Sequence, residues 1–224
     1  MPQEISVIDL GGVNCYLVKT AAGYILIDTG FVAKRVFLEK ALESAGCRPG
    51  NLNLIVLTHG DSDHADNAAY LRNKFGARIA IHSDDAGMVE RGDMSWNRKP
   101  RPDKHAFIFR LMGAVIPLFV RGSAFEKFSP DFSIDENFVL AQYGFDAQIL
   151  LLPGHSKGSI GILTAESDLF CGDFLYNIFG KPSCYYINDL AAYNTSLKRL
   201  KAEKIRIIYP GHGKPFGANK IPRN

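Results

Sequence analysis

The stretch "IVLTHGDSDHADN", residues 55–67, begins as an apolar β-prone run and ends in a cluster of imidazoles and carboxylates. His59, Asp61, Asp63 and His64 fall within six residues of one another. A loop that needs only solubility has no reason to concentrate metal-ligating side chains at the mouth of a buried strand. The same pattern recurs further on. "LLPGHSKGS" carries His155, "LFCGDFL" carries Asp173 and "IIYPGHGKP" carries His212, each in a Gly-containing turn after an apolar strand. Strand ends bring such groups to one point in space, which local spacing alone cannot do. Four turns of this form in one chain point to a metal centre.

The rest of the chain is consistent with one large domain of 224 residues, able to bury most of its surface without disulfide staples. A hydrophobic fraction of 46%, a charged fraction of 22% and a net charge of +3 are ordinary for a globular protein. That balance gives no reason to expect nucleic acid or a membrane as partner; a small-molecule substrate is expected. The N-terminus lacks the pattern of a secretory signal, and the longest apolar run, "AFIFRLMGAVIPLFV", is too short for a bilayer. The four cysteines (Cys15, Cys47, Cys171 and Cys184) are scattered, reading as reduced thiols in a cytoplasmic protein.

Strand and helix signals alternate through the first third: "ISVIDL", "NCYLVKT", "GYILIDTG", a helical run ending at Gly46, the strand "NLNLIVL", a helix at about 63–75, and "ARIAIH". Residues 84–131 break the rhythm with a basic, proline-rich loop and then the apolar run. This insertion is expected to serve as a lid or as a homodimer contact. Regular signals return with "FVLAQ", "DAQILLL", "GSIGILTAES", "DLFCGD", a helix at about 189–201 and "KIRIIYP". "NCYLVKTAAGYILIDTG" and "GSIGILTAESDLFCGD" echo one another as strand–turn–strand units, suggesting two β lobes face to face.

The set His59-Gly60-Asp61-Ser62-Asp63-His64, Gly154-His155, Gly172-Asp173 and Gly211-His212, in that order, with "IDTG" at 27–30, resembles the signature of the metallo-β-lactamase superfamily. The resemblance implies an α/β fold, a four-layer αββα sandwich with a two-metal site at one edge of the sheets. It assigns His59, the Asp61 position and His155 to one metal, Asp63, His64 and His212 to the other, and Asp173 to both. Zinc is the implied ion, with iron or manganese as alternatives. The implied nucleophile is a water held between the metals, with Asp63 as the catalytic carboxylate. The implied activity is hydrolysis of a small ester, thioester or lactone. Asp28 is expected to hold the site from behind.

Asp61 departs from the family pattern, which has histidine there. Counted from sequence, four neutral imidazoles and three carboxylates carry −3, which two divalent ions and a hydroxide bring to zero. One charge about 4 Å from a bound water is worth roughly 4 kcal/mol at an effective dielectric of 20. The expectation is therefore a weaker activator of water and a preference for harder ions. The flavodiiron branch also has an acid at this position, so iron-based redox chemistry is the alternative to hydrolysis. On the substrate side, the basic cluster Arg98, Lys99, Arg101 and Lys104 reads as a solvated loop or an anion attractor. Lys181, Tyr185 and Tyr186 are candidate substrate contacts.

Overall fold

The computed structural model describes residues 4–105 and 126–222. The apolar stretch expected to form a lid or dimer contact, at 106–120, lies outside the described residues.

Among the described residues are thirteen strands and five α-helices, and eleven of the strands form two main sheets. The first sheet comprises β1 (Glu4–Asp9), β2 (Asn14–Thr20), β3 (Gly23–Ile27), β4 (Leu52–Val56), β5 (Arg78–His82) and β7 (Phe132–Ile134), in that spatial order. The second runs β13 (Phe216–Gly217), β12 (Ile207–Pro210), β10 (Asp168–Gly172), β9 (Ile160–Thr164) and β8 (Ala147–Leu151). A short antiparallel pair, β6 (Lys104–His105) with β11 (Tyr186–Ile187), stands apart from both.

The layering follows from the period-2 alternation of strands. On β3 and β4, Ile25, Ile27, Leu54 and Val56 face the other sheet, meeting Ile149, Ile160, Ile162 and Phe170 in a central core. Their neighbours Leu26, Ile55 and Leu57 point outward and are covered by Leu38 and Leu42 of α1 (Arg35–Ser44) and by Leu71 and Phe75 of α3 (Ala68–Phe75). On the second sheet, Leu163, Leu169 and Ile208 are covered by Leu197 and Leu200 of α5 (Leu190–Ala202). Helix, sheet, sheet and helix thus form the expected αββα sandwich. Strands apolar on both faces are what a sheet covered on both sides requires.

Local signals explain most boundaries. Gly46, at φ +86°, sits just past α1. Asp189 caps α5 by accepting from Ala192 N at 3.0 Å. Two expectations differ. The helix expected at 63–75 is broken into α2 (Ser62–Ala65) and α3, because Asn67 turns its amide onto the Thr29, Gly30 and Phe31 carbonyls instead of continuing the helix. "FVLAQ" is not a strand: its second half lies in the 3-10 turn Leu140–Tyr143, with Leu140 buried. Ahead of the basic, proline-rich loop the chain forms α4 (Ser83–Arg91) and turns at Gly92.

β4 runs parallel to β3 and β5, while β10 runs parallel to β12 and antiparallel to β9, as β8 is to β9. The ends of β4, β8, β10 and β12 therefore converge on one edge of the sandwich. Cross-sheet bonds hold that edge closed: Ile160 N donates to Thr58 O at 2.9 Å, Asn14 N to Gly211 O at 2.8 Å, and Tyr16 Oη to Pro210 O at 2.5 Å.

Candidate metal centre

The four turns singled out in the sequence meet at this edge. His59 and Asp61 leave β4, Asp63 and His64 sit on the single turn of α2, His155 follows β8, Asp173 follows β10 and His212 follows β12. Two groups of converging ligand atoms result: Asp63, His64, Asp173 and His212, and His59, His155 and Asp173. Asp173 belongs to both, the position the resemblance gave to the bridging carboxylate.

The hydrogen bonds behind the imidazoles orient them. His64 Nδ1 lies 2.9 Å from Asp28 Oδ2, and His155 Nδ1 lies 3.3 Å from the Tyr186 carbonyl. His212 Nδ1 meets the Gly12 carbonyl. Thr58 Oγ1 donates to Asp28 Oδ2 at 2.8 Å, so at 3.0 Å it is left to accept from His59 Nδ1. Every Nδ1 thus faces an acceptor and carries its proton, leaving each neutral ring with a bare Nε2 lone pair turned inward.

Those lone pairs crowd one another and the carboxylates. His64 Nε2 is 3.4 Å from His212 Nε2 and 3.1 Å from Asp173 Oδ1. His212 Nε2 is 3.3 Å from both Asp63 Oδ2 and Asp173 Oδ2. His59 Nε2 is buried with no hydrogen-bond partner, 3.9 Å from Asp173 Oδ2. Lone pairs and anions at these distances, out of water, need a cation among them. Two ligands about 2.1 Å from a tetrahedral ion lie roughly 3.4 Å apart, the spacing seen here. The donor set fits divalent metal.

The same field governs protonation of the bare side chains. Burial pulls the His212 pKa down, but Asp173 and Asp63 outweigh it and push it up to about 10. His64 is likewise raised against its burial, by Asp173, Asp63 and Asp28. Asp173 is held well below the usual carboxylate range, the charge of His212 and His64 overriding the cost of burial. A pocket that stabilises imidazolium this strongly has the charge to hold a metal dication instead.

Close approach dictates one glycine. A Cβ on Gly211 would lie 2.4 Å from Asp173 Oδ1 and 2.7 Å from His64 Cε1, so only glycine lets β12 pass this near.

Several residues that support the centre were not legible in the sequence. Asp85 of α4, buried, accepts from Gly60 N at 3.1 Å, Ser156 Oγ at 2.6 Å and Gly158 N at 2.8 Å, tying the first ligand loop to the second. Tyr176 donates to Asp173 Oδ2 at 2.6 Å and stacks on His212 with ring centroids 5.1 Å apart. No motif marks either: Asp85 acts on residues 25 to 73 positions away, and Tyr176, three residues from Asp173, is oriented by the fold that also brings His212 against its ring.

Arg98 is the largest departure. It is neither solvated nor free to draw in anions. Its guanidinium closes on Asp61 with Nη1 2.8 Å from Oδ1 and Nη2 2.9 Å from Oδ2, and its side chain is 11% exposed. Asp61 does reach the centre, with Oδ2 2.9 Å from His155 Nε2 and 3.4 Å from His59 Nε2. Burial would raise its pKa, but Arg98 and the two imidazoles hold it well below the ordinary value. The charge count drawn from sequence omitted this cation, so Asp61 does not bring the extra negative charge expected of it.

An open groove of about 740 Å³ adjoins this pair, lined by Met94, Arg98, Lys99, Pro102 and Tyr186 among others. Tyr186, expected as a substrate contact, faces it. Tyr185 instead packs edge-on against Tyr176, and Lys181 is exposed, apart from the groove. A second hollow of about 690 Å³, beside Cys184 and α5, contains none of the candidate ligands. His82 caps α4 and His105 lies in β6, both outside the centre. No helix among the described residues is long and apolar enough to cross a membrane.

Comparison with known proteins agrees with the geometry. The chain is 30% identical over 210 residues to the hydroxyacylglutathione hydrolase GloC of Haemophilus influenzae, covering 89% of this chain and 85% of that one. It is 26% identical to an atrochrysone carboxyl ACP thioesterase of Paecilomyces divaricatus, over 91% of this chain and 51% of the thioesterase. The chain thus spans about half the length of some curated relatives it matches. A crystal structure described as a di-iron-bound form superposes with a TM-score of 0.66 at 25% identity, over 94% of this chain and 92% of that one. The family model for the metallo-beta-lactamase superfamily matches residues 8–212, and the chain belongs to that superfamily.

Proposed function

We propose that this protein is a two-metal hydrolase acting on a small thioester or related acyl compound. The observation that carries the reading is the inward set of four Nε2 lone pairs and surrounding carboxylates; Arg98, which holds Asp61 beside them, lines the groove. His59, His155 and Asp173 would hold one ion; Asp63, His64, Asp173 and His212 the other. Asp61 stands beside the first position, its oxygens engaged by Arg98. Zinc is the ion assigned. When bound, the ions supply a nucleophilic water at neutral pH and polarise the substrate carbonyl.

The remaining work falls to the chain. Asp63 has its side chain 23% exposed, the most open carboxylate of the set, so it is placed to take up the proton released by the attacking water. Tyr176 fixes Asp173, and Asp28 and Thr58 fix His64 and His59. The groove wall formed by Met94, Pro102 and the Tyr186 ring offers an apolar surface for an acyl chain. The choice of thioester rests on two relatives, one named a hydroxyacylglutathione hydrolase and the other an ACP thioesterase. We assign the 84–131 segment as an insertion in a single domain, of which residues between Gly92 and Pro102 line this groove.

A second reading is iron-based redox chemistry, favoured by the di-iron neighbour and by the two-histidine, one-carboxylate set at the first position. Metal content by plasma mass spectrometry, with turnover on thioester, ester and lactone panels, separates the readings. Zinc with thioester cleavage, lost at least a hundredfold in Asp63→Asn, is the expected result. Iron with oxygen or nitric-oxide consumption and no hydrolysis would replace it.

A further inference from the structure

We propose that Arg98 is a positioning residue which, by clasping Asp61, makes the two metal positions unequal: the Asp63–His64–Asp173–His212 position loads first and tightly, and the His59–His155–Asp173 position loads second and weakly. The inference rests on the two-metal reading and concerns what this chain's own arginine does to it.

The two positions differ in what they offer. The first-loading position has four converging ligand groups, two of them carboxylates. The other has three, and its one carboxylate, Asp173, is shared. Asp61 would complete it, since its Oδ2 approaches both His59 Nε2 and His155 Nε2. Yet the guanidinium already covers both Asp61 oxygens: Nη2 donates to Oδ2 at 2.9 Å, and Nη1 stands 2.8 Å from Oδ1 as an ion pair without hydrogen-bond geometry. A guanidinium hydrogen-bonded to one carboxylate oxygen and in ionic contact with the other restricts the carboxylate's geometry as well as its charge. Asp61 is therefore withheld as a free anionic ligand, and a cation is installed beside the position that lacks it.

The pair is built into the fold and does not depend on a stray surface side chain. Segment 92–105 is pinned on both sides of Arg98. On one side Asn97 Oδ1 accepts from Lys157 Nζ at 2.6 Å, and the Arg91 guanidinium lies 3.9 Å above the Trp96 ring. On the other, Lys99 N donates to Asn188 Oδ1 at 3.2 Å, Asp103 Oδ2 accepts from Leu190 N at 2.8 Å, and Lys104 and His105 pair with Ile187 and Tyr186. Arg98 itself lies over the Tyr186 ring at 5.4 Å, beside His155. With its ends held, the segment can deliver the guanidinium only at the mouth of the weaker position.

The test is calorimetric titration of metal-stripped protein with zinc and, separately, manganese, in wild type, Arg98→Met, Arg98→Lys and Asp61→Asn/Arg98→Met. Wild type is expected to bind one ion at least tenfold more tightly than the second. Arg98→Met should raise affinity for the second ion tenfold or more and leave the first unchanged, because Asp61 becomes available. Arg98→Lys keeps a charge but cannot cover both oxygens, and should give a smaller gain; it also serves if the methionine variant fails to fold. The double variant should lose the gain. Equal affinities in wild type, unchanged second-ion affinity in Arg98→Met, or loss of the second ion there would overturn the inference while leaving the two-metal reading intact. Failure of wild type to bind either metal would overturn both.

Discussion

Asp28 Oδ2 lies 2.9 Å from His64 Nδ1, and the carboxylate is held there on a left-handed backbone with φ +59°. Oδ1 accepts from Thr58 N at 2.8 Å, and Oδ2 also accepts from the Thr58 hydroxyl. One buried acid thereby sets the orientation of His64 directly and of His59 through Thr58. A non-glycine residue at this φ costs on the order of 1 kcal/mol or more, and three hydrogen bonds outweigh it. Asp28→Asn keeps the shape but removes the charge that fixes both rings. Zinc affinity by competition with a chromophoric chelator should fall ten- to a hundredfold. Unchanged affinity would mean that the rings are held by packing alone.

Gly211→Ala tests the close approach of β12 to the ligands. The new methyl meets Asp173 and His64, two side chains locked by other bonds, so overpacking should cost about 1–3 kcal/mol. The purified variant should carry at least one metal ion fewer per chain by mass spectrometry. Full metal content would show that the centre has slack the geometry does not suggest.

Asp85 joins the two ligand loops through three donors. Asp85→Ala leaves Gly60 N, Gly158 N and the Ser156 hydroxyl with a buried acceptor missing, which should cost about 2–4 kcal/mol in urea unfolding. A loss below 0.5 kcal/mol would refute its bridging role.

Asp131 gives a pH signature away from the centre. Burial raises its pKa, but the Ile79 N–H, Arg78 and Arg72 prevail and lower it from its ordinary value. A depressed carboxylate pKa stabilises the fold above the unfolded value, and that stability is lost as pH falls through the folded one. Asp131→Asn should therefore be less stable than wild type at pH 7 by about 1 kcal/mol, with the gap closing below roughly pH 4. A gap independent of pH would assign the effect to shape instead of charge.

Metal removal should destabilise the chain, because the carboxylates and imidazoles at the centre are left with each other. At a free ion concentration a hundred times the dissociation constant, binding adds about 2.7 kcal/mol. Chelation should lower the melting temperature and re-addition restore it. A melting temperature indifferent to chelator would argue against ions at this edge.

The layers and the seven converging residues were legible because their signals are local: alternation on strands, helical spacing, and His or Asp placed with glycine just past a strand. "THGDSDH" is such a signal, and so are the turns at His155, Asp173 and His212. The helix break at Asn67 was not, since it depends on the Asn67 amide reaching carbonyls more than thirty residues earlier in the chain. Nor was the 3-10 turn at Leu140, where burial of one leucine overrode strand propensity.

The sequence alone therefore determined which residues reach the sheet edge, because strand ends carry their neighbours with them. The charge of the centre was decided only by the tertiary structure. Arg98 lies 37 residues from Asp61, in a basic loop whose composition reads as solvated. The loop is turned inward by bonds to Lys157, Asn188 and Leu190, each far off in the chain. Electrostatics depends on distance in space, and spacing along a polypeptide does not report it once the chain has folded back on itself.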